Sequence, residues 1–387
     1  MRILRIADVT GQSAGGMNLF MRRSSDVLRR WGHDVEHAFE EDLGAPRIHG
    51  GLRRIAVHWL VIREVLRRRR RGDEFDVLEI HEPIAFGYCL FRRFARGGSL
   101  PPCVVISYGS EERRWREGLV RDGIRGTRRS RKSRILVPLT LVRPARYALR
   151  HADHVLVPSA PDLSYLTDEL RVPERRLTRV DSGVDDEWFE IDDRAASDHL
   201  RVLFIGTWID RKGAPELAEA WSRVTHHVPN VRLTLTCTVV PEAKVLDDFG
   251  SVAGTVTAHS FAEPDELRRD IAEHDVFVLP SWFEGGIALG SLQAAAAGLA
   301  SVVTAIGGNT DLFRVEDPEA DGAILVPPND PGALVDALRR LARDSELVHR
   351  LGDSARRRAR EFGWDVTATR CLAAYRAASG SGVRSRV

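Results

Sequence analysis

At 387 residues the chain exceeds one ordinary domain, and 43% hydrophobic with 29% charged residues is a soluble globular composition. The net charge of +2 hides an imbalance: residues 1–150 hold 31 Lys and Arg against 17 Asp and Glu, while the remainder carries an acidic excess of 12. Opposite charge on two halves points to two domains with different tasks. The basic one either attracts an anionic acceptor or an anionic membrane surface, or simply carries arginines on a solvated face. Cys89, Cys103, Cys237 and Cys371 form no CxxC pair, which argues against a zinc site or disulfide framework and for a reducing compartment. MRILRIADVTG lacks a signal-peptide apolar core, and no uncharged apolar run reaches the roughly 18 residues needed to span a bilayer, so a cytoplasmic protein is expected.

In chain order, RILRIAD (2–8) reads as a buried strand, followed by the turn TGQSAGG (10–16). MNLFMRRSSDVLRRWG then has helical spacing, with Leu19, Phe20, Leu28 and Trp31 near one face, and HDVEHAF begins a second strand. This β–loop–α–β opening belongs to a parallel doubly wound sheet, but GQSAGG is not the GxGxxG of nicotinamide binders. The alternation continues through a basic helix (55–72) and strand-to-loop segments at 76–83 and 103–112. A strongly basic stretch at 116–134 follows, read as a loop or a surface helix. Next come a helix at 146–153 and the strand HVLVPS at 154–159. DSGVDDEWFEIDD (181–193) is acidic and linker-like, which places a boundary at 193. From LRVLFIG (200–206) the pattern restarts, with strands at 231–237, 254–261, 276–281, 301–308 and 322–330, and helices after 213, at 263–275, at 290–298 and at 331–345. An amphipathic tail helix occupies 362–378.

The segment SWFEGGIALGSLQAAAAGLASVVTAIGG (281–308) holds a lone acid, Glu284, then two glycines, at the mouth of an apolar helix. Glycines let a backbone approach an anion closely, and the free N–H groups of a helix start attract one. Together with GGMNLFMRRSSDVLRRWGHDV (15–35), ADHVLVPS (152–159), DSGVDDEWF (181–189), GTWIDRKG (206–213), HDVFVLPSWFEGG (274–286) and AIGG (305–308), this ordered set resembles the retaining glycosyltransferases of family 4, the glycosyl transferases group 1.

The resemblance implies an α/β GT-B fold: two facing Rossmann-like domains with a cleft between them, and a C-terminal helix packing back on the first. The implied domains are 1–193 for the acceptor, 194–361 for the nucleotide sugar, and 362–387 for the crossover helix and tail. The implied reaction moves a sugar from a nucleotide diphosphate to an acceptor with retention. The donor is a co-substrate, no cofactor is expected, and no metal is expected, Asp185–Asp186 and Asp247–Asp248 being read as linker or surface acids. The acceptor class left open is a small molecule, a lipid-linked compound or a polysaccharide, with peripheral membrane contact through the basic domain and no role for nucleic acid.

Carried over residue by residue, Lys212 points at the diphosphate with Arg211 assisting, and Gly285, Gly286 and Ile287 cradle it. Glu284 contacts the donor sugar, and Gly15 and Gly16 face the diphosphate from the first domain. The base is expected against 260–263. The sequence departs from the family at three places. Thr207 stands where an arginine is frequent, and Tyr108 replaces a histidine near the donor sugar, with His81 as another rim candidate. The acid that usually holds the ribose, eight residues after Glu284, falls on Leu292, so the helix alignment assigns that role to Gln293. These departures keep a second reading open, a relative that binds nucleotide sugar or a partner without turnover. A third is another GT-B reaction class, such as a phosphorylase or epimerase.

Overall fold

The computed structural model describes residues 1–11, 15–44, 51–95, 100–191 and 199–380. Two compact units divide the chain: Met1–Ser182 with Trp364–Val387, and Gly183–Gly363.

The first unit is a six-stranded parallel sheet of β1 (Arg2–Ile6), β2 (Asp34–Ala38), β3 (Val77–His81), β4 (Cys103–Ile106), β5 (His154–Val157) and β6 (Leu177–Arg179), in the order β2-β1-β3-β4-β5-β6. Its central strands β4 (CVVI) and β5 (HVLV) are near-continuous buried apolar runs, because helices cover both faces of a parallel sheet, while the edge strands β2 (DVEHA) and β6 (LTR) are more polar. The helix Gly16–Arg30 turns Phe20 and Leu28 inward as its spacing predicts, but leaves Trp31 exposed, because Trp31 is already past the helix and serves as its cap. The basic stretch at 116–134 is largely helical, within Glu111–Ile124 and Arg131–Val137, the second capped by the Ser130 hydroxyl.

The last helix, Trp364–Ala378, packs on Gly16–Arg30 and on β5 of this unit. A polar network beneath it fixes it there. Arg5 is fully buried and donates to Glu79 Oε1 at 2.7 Å, the Met21 carbonyl at 2.8 Å, Ser24 Oγ at 2.7 Å and Ser25 Oγ at 2.9 Å. Tyr375 of the last helix donates to Glu79 Oε2 at 2.5 Å. Burial penalises the guanidinium, but Glu79 beside it keeps it protonated. A buried ion pair of this kind contributes little net stability, yet removing one partner strands the other charge in the core.

The second unit is a six-stranded parallel sheet of β7 (Arg201–Ile205), β8 (Arg232–Thr236), β9 (Val256–Ala258), β10 (Val276–Leu279), β11 (Ala300–Thr304) and β12 (Ala323–Val326), in the order β12-β11-β10-β7-β8-β9. Counted from its own first strand this is the 3-2-1-4-5-6 order of a doubly wound sheet, with the topological switch between β7 and β10. The segment read as a linker at 181–193 sends Val184, Trp188 and Ile191 into this unit's core. The unit therefore begins at Gly183 rather than at 194, a position that itself lies outside the described residues. The helix Ser345–Ala359, not read from the sequence, buries Leu347, Leu351, Ala355 and Ala359 against β11 and the helix Leu289–Ala296.

Candidate active site

In parallel α/β sheets, ligands bind outside the carboxyl ends of the strands, at the switch point. In the second unit that point lies between the segments that follow β7 and β10, and the sequence places Lys212 on one and Glu284 on the other. After β7 the chain makes a short 3-10 turn, Asp210–Lys212, ended by Gly213 at φ +78°. That glycine is obligatory twice over: its conformation is left-handed, and a Cβ there would lie 2.0 Å from the Pro280 carbonyl oxygen. The close approach ties the turn to the end of β10 and delivers Lys212 to Glu284.

Lys212 Nζ donates to Glu284 Oε1 at 2.7 Å, and Ser281 Oγ donates to the same oxygen at 2.6 Å. Arg211 donates from Nη1 to the Phe283 carbonyl at 3.1 Å and lies 3.5 Å from Glu284 Oε2. Glu284 is buried. Burial works against its carboxylate, but Lys212 and then Arg211 outweigh that and hold it below the ordinary carboxylate range. Burial lowers the Lys212 ammonium, Glu284 opposes the shift, and Arg211 adds to it. Two cations against one acid leave this cluster an excess positive charge, which suits an anionic ligand.

The loop after Glu284 is held by the AIGG segment, for which the sequence alone suggested no role. A Cβ on Gly307, itself at φ +45°, would fall 1.8 Å from the Glu284 carbonyl oxygen, and one on Gly308 only 1.9 Å from the Gly286 carbonyl carbon. The two backbones lie flat on each other, and no side chain fits between them. Ile287 sends its side chain into the core, which leaves its contribution to a ligand to the backbone. The helix begins at Leu289 with Ala288 as N-cap and no side-chain cap. In its first turn the Ser291 hydroxyl is buried without a hydrogen-bond partner among the described residues. Leu292, at the eight-residue position, is fully buried, and its neighbour Gln293 is half-exposed. Thr207 is half-buried beside Trp208, whose indole N–H donates to Asp248 Oδ2 at 2.7 Å, so Asp248 is engaged in holding the β7 loop.

Three of the expected residues, and His81, belong to the carboxyl edge of the first unit's sheet. Gly15 caps the helix Gly16–Arg30, and both glycines are exposed; the preceding residues 12–14 lie outside the described residues. His81 ends β3 and Tyr108 follows β4, with their rings edge-to-face at 5.1 Å; the other side of Tyr108 meets Phe20 at 5.6 Å. The Tyr108 hydroxyl and His81 Nδ1 are both buried without a partner among the described residues. Burial raises the Tyr108 phenol well above its ordinary value and lowers His81 to about 3, so both are neutral near pH 7.

Glu82 was not singled out from the sequence. It is buried, accepts the Glu111 N–H at 3.2 Å, and is pushed up to about 8 by burial and by the Glu111 carboxylate. The HEP run of residues 81–83 was its only sequence signal.

Two family models match successive parts of the chain. A model described as Glycosyltransferase Family 4 matches residues 14–188, and one described as Glycosyl transferases group 1 matches residues 199–344. The chain is 31% identical to the MMP alpha-(1->4)-mannosyltransferase of Mycolicibacterium hassiacum, over 59% of this chain and 55% of that protein. It is 24% identical to the phosphatidyl-myo-inositol mannosyltransferase of Mycobacterium tuberculosis over the full length of both. The chain spans about half the length of the former and of several D-inositol 3-phosphate glycosyltransferases that it also matches. The solved sucrose-phosphate synthase of Thermosynechococcus elongatus superposes with a TM-score of 0.75 at 19% identity, covering 99% of this chain and 100% of that one. At that identity the likeness establishes the fold alone, and the fold is GT-B.

Proposed function

This chain belongs to the group 1, family 4 glycosyltransferases, and we propose that it moves a hexose from a nucleotide-diphosphate sugar to an acceptor hydroxyl with retention of configuration. The observation that carries the reading is the Lys212–Arg211–Glu284 cluster at the β7/β10 switch point, beside a glycine loop that opens a helix. A departing diphosphate gains negative charge as its bond to the sugar breaks, and a fixed cation with main-chain N–H groups stabilises that charge most where it develops.

Lys212 and Arg211 then face the diphosphate together with the N–H groups of Gly285, Gly286 and Ile287. Glu284, already ionised and anchored by Ser281, accepts hydrogen bonds from donor-sugar hydroxyls, and Gln293 takes the ribose. On binding, a phosphate oxygen replaces part of what Glu284 now offers to Lys212. On the first unit, Gly15 and Gly16 serve the diphosphate, and Tyr108 with His81 offers the sugar or acceptor two neutral groups whose hydrogen-bonding atoms are unspent.

The acceptor oxygen attacks C1 of the sugar on the face from which the diphosphate leaves. The C1–O bond to phosphate breaks, the new C1–O bond forms, and the acceptor proton passes to the departing phosphate oxygen. Positioning and charge stabilisation are the enzyme's contribution, and no cofactor or metal is required for this sequence of steps. The acceptor is a small polyol, a lipid-linked compound or a polysaccharide end, and the reaction is assigned to the cytoplasm, a reading the free cysteines support.

Incubating the protein with UDP-, GDP- and ADP-sugars tests this. Slow donor hydrolysis that disappears in Lys212→Ala supports transfer, and nuclear magnetic resonance of the first-formed product reads its anomeric configuration. A thermal shift with a nucleotide sugar but no turnover on any acceptor would favour a binding protein instead.

A further inference from the structure

Residues 1–150 carry the chain's basic excess, which by composition suits an anionic acceptor. The carboxyl edge of the first unit's sheet is built differently. β3 pairs with β4 through His81 and Ile106, and one step beyond that pair stand Glu82 and Ser107, only 2% and 1% exposed. Four side chains at these two strand ends, His81, Glu82, Ser107 and Tyr108, each hold a buried polar atom without a hydrogen-bond partner among the described residues. A buried polar atom left unpaired costs stability, so four of them together point to a bound group that engages them.

The cations beside these groups are spent. Arg113 Nε donates to Asp162 Oδ1 at 2.7 Å, Arg114 is paired with Glu111, and Arg146 lies 3.3 Å from Glu112 Oε2. The helix Glu111–Ile124 opens here, but carboxyl groups already take the N–H groups at its start. Glu82 Oε1 accepts from Glu111 at 3.2 Å, and Asp162 Oδ1 accepts from Ser110 at 3.3 Å. A phosphate brought to this place would meet acids and would have to break an existing ion pair. A hydroxyl needs neither a free cation nor a free helix end.

We propose that the acceptor end held at this edge is an uncharged polyol, and that Glu82 selects it by hydrogen-bonding one of its hydroxyls. The assignment rests on the transfer reaction proposed above. Burial and then the Glu111 carboxylate push Glu82 up to about 8, so near pH 7 it keeps its proton. A neutral carboxyl both donates and accepts, as a polyol hydroxyl does, whereas an ionised one only accepts. Of the groups that face it, Glu111 and Asp162 are paired with Arg114 and Arg113, and His81 is neutral.

Isothermal titration calorimetry on the whole chain tests this. Methyl mannoside and myo-inositol are expected to bind at least about tenfold more tightly than mannose phosphate and inositol monophosphate. Octyl mannoside and mannotriose, each compared with methyl mannoside, distinguish a lipid-linked end and a polysaccharide end from a free sugar. Glu82→Ala should weaken the uncharged probes about tenfold. Glu82→Gln, which keeps a donor and an acceptor, should stay within about threefold of wild type. As pH rises through about 8, wild type should lose affinity for these probes and Glu82→Gln should not, a difference that a merely structural role would not produce. Circular dichroism confirms that the variants are folded, and if Glu82→Ala is not, the pH comparison with Glu82→Gln decides. Phosphorylated probes that bind as tightly as their uncharged partners overturn the assignment. So does a failure of every uncharged probe to bind, or affinity in wild type and Glu82→Gln that follows pH alike. Binding of the uncharged probes without donor hydrolysis would support this selectivity and count against the transfer reaction alone.

Discussion

The two units are built on the same plan, six parallel strands with helices on both faces, and they use their polar residues in opposite ways. In the second unit the ionisable groups at the carboxyl edge are already paired: Lys212, Arg211 and Ser281 all converge on Glu284. In the first, a fully buried ion pair, Arg5 with Glu79, sits inside the fold under the last helix, while at the carboxyl edge His81 Nδ1 and the Tyr108 hydroxyl are neutral and without a partner among the described residues. A site for a fixed charged group such as a diphosphate gains from preorganised charge. A site that reads hydroxyls needs neutral donors and acceptors left unspent. On the proposed reaction, the second arrangement suits the donor and the first the acceptor.

Breaking the buried pair of the first unit tests the contrast most severely. Glu79→Ala strands the Arg5 guanidinium and should cost about 3–5 kcal/mol of stability, read as a large fall in Tm and as early proteolysis near the last helix. A variant that melts as wild type does would show the network to be incidental.

The matching change in the second unit should act on function instead. Lys212→Ala is expected to lower transfer by about 10²–10³-fold, the scale of losing one stabilising donor at a developing anion, with the circular dichroism spectrum retained. Full activity in both Lys212→Ala and Glu284→Ala would remove the cluster from the mechanism.

Gly308→Ala separates the loop from the charges it presents. The added carbon, 1.9 Å from the Gly286 carbonyl carbon, must push the two backbones apart. A loss of about 1–3 kcal/mol in stability is expected, together with weaker nucleotide binding in a thermal-shift titration although no charged group has been altered.

The first unit's edge has a pH signature. Glu82 is raised from 4.5 to about 8, so between those values the folded chain holds a proton that the unfolded chain releases. Its stabilising contribution is complete below 4.5 and is lost as pH rises through 8. Glu82→Gln should remove that decline, seen as a difference in Tm between variant and wild type that grows from pH 5 to pH 8.5. His81, lowered to about 3, acts in the other direction: its contribution is present above 6.5 and lost as pH falls toward 3, and it is common to both proteins. The smallest effect expected is at Gln293→Glu, where a restored charge on the ribose hydroxyls should tighten nucleotide binding about fivefold. Weaker binding would mean that Gln293 does not face the nucleotide.

Much of the scaffold was legible in the sequence because strand and helix periods are local. HVLVPS, VFVLPS and the amphipathic tail were placed within a few residues of β5, β10 and the helix Trp364–Ala378. The helix Ser345–Ala359 was missed although Leu347, Leu351, Ala355 and Ala359 repeat every four residues, because the charged residues between them obscure that narrow stripe. Trp31 shares a face with Leu19, Phe20 and Leu28 by spacing, but the helix ends before it.

By itself, the sequence determined which residue types stand at the strand ends, since glycine, lysine and glutamate at fixed offsets from apolar runs are a local pattern. Tertiary structure decided which of them meet. Lys212 and Glu284 are 72 positions apart and come within 2.7 Å only because β7 and β10 are neighbours and Gly213 lets the turn touch Pro280. Gly307 and Gly308 acquire their meaning in the same way, from a backbone that passes too close for any side chain. Strand order and close approach depend on the packing of the whole sheet, and no window along the chain encodes them.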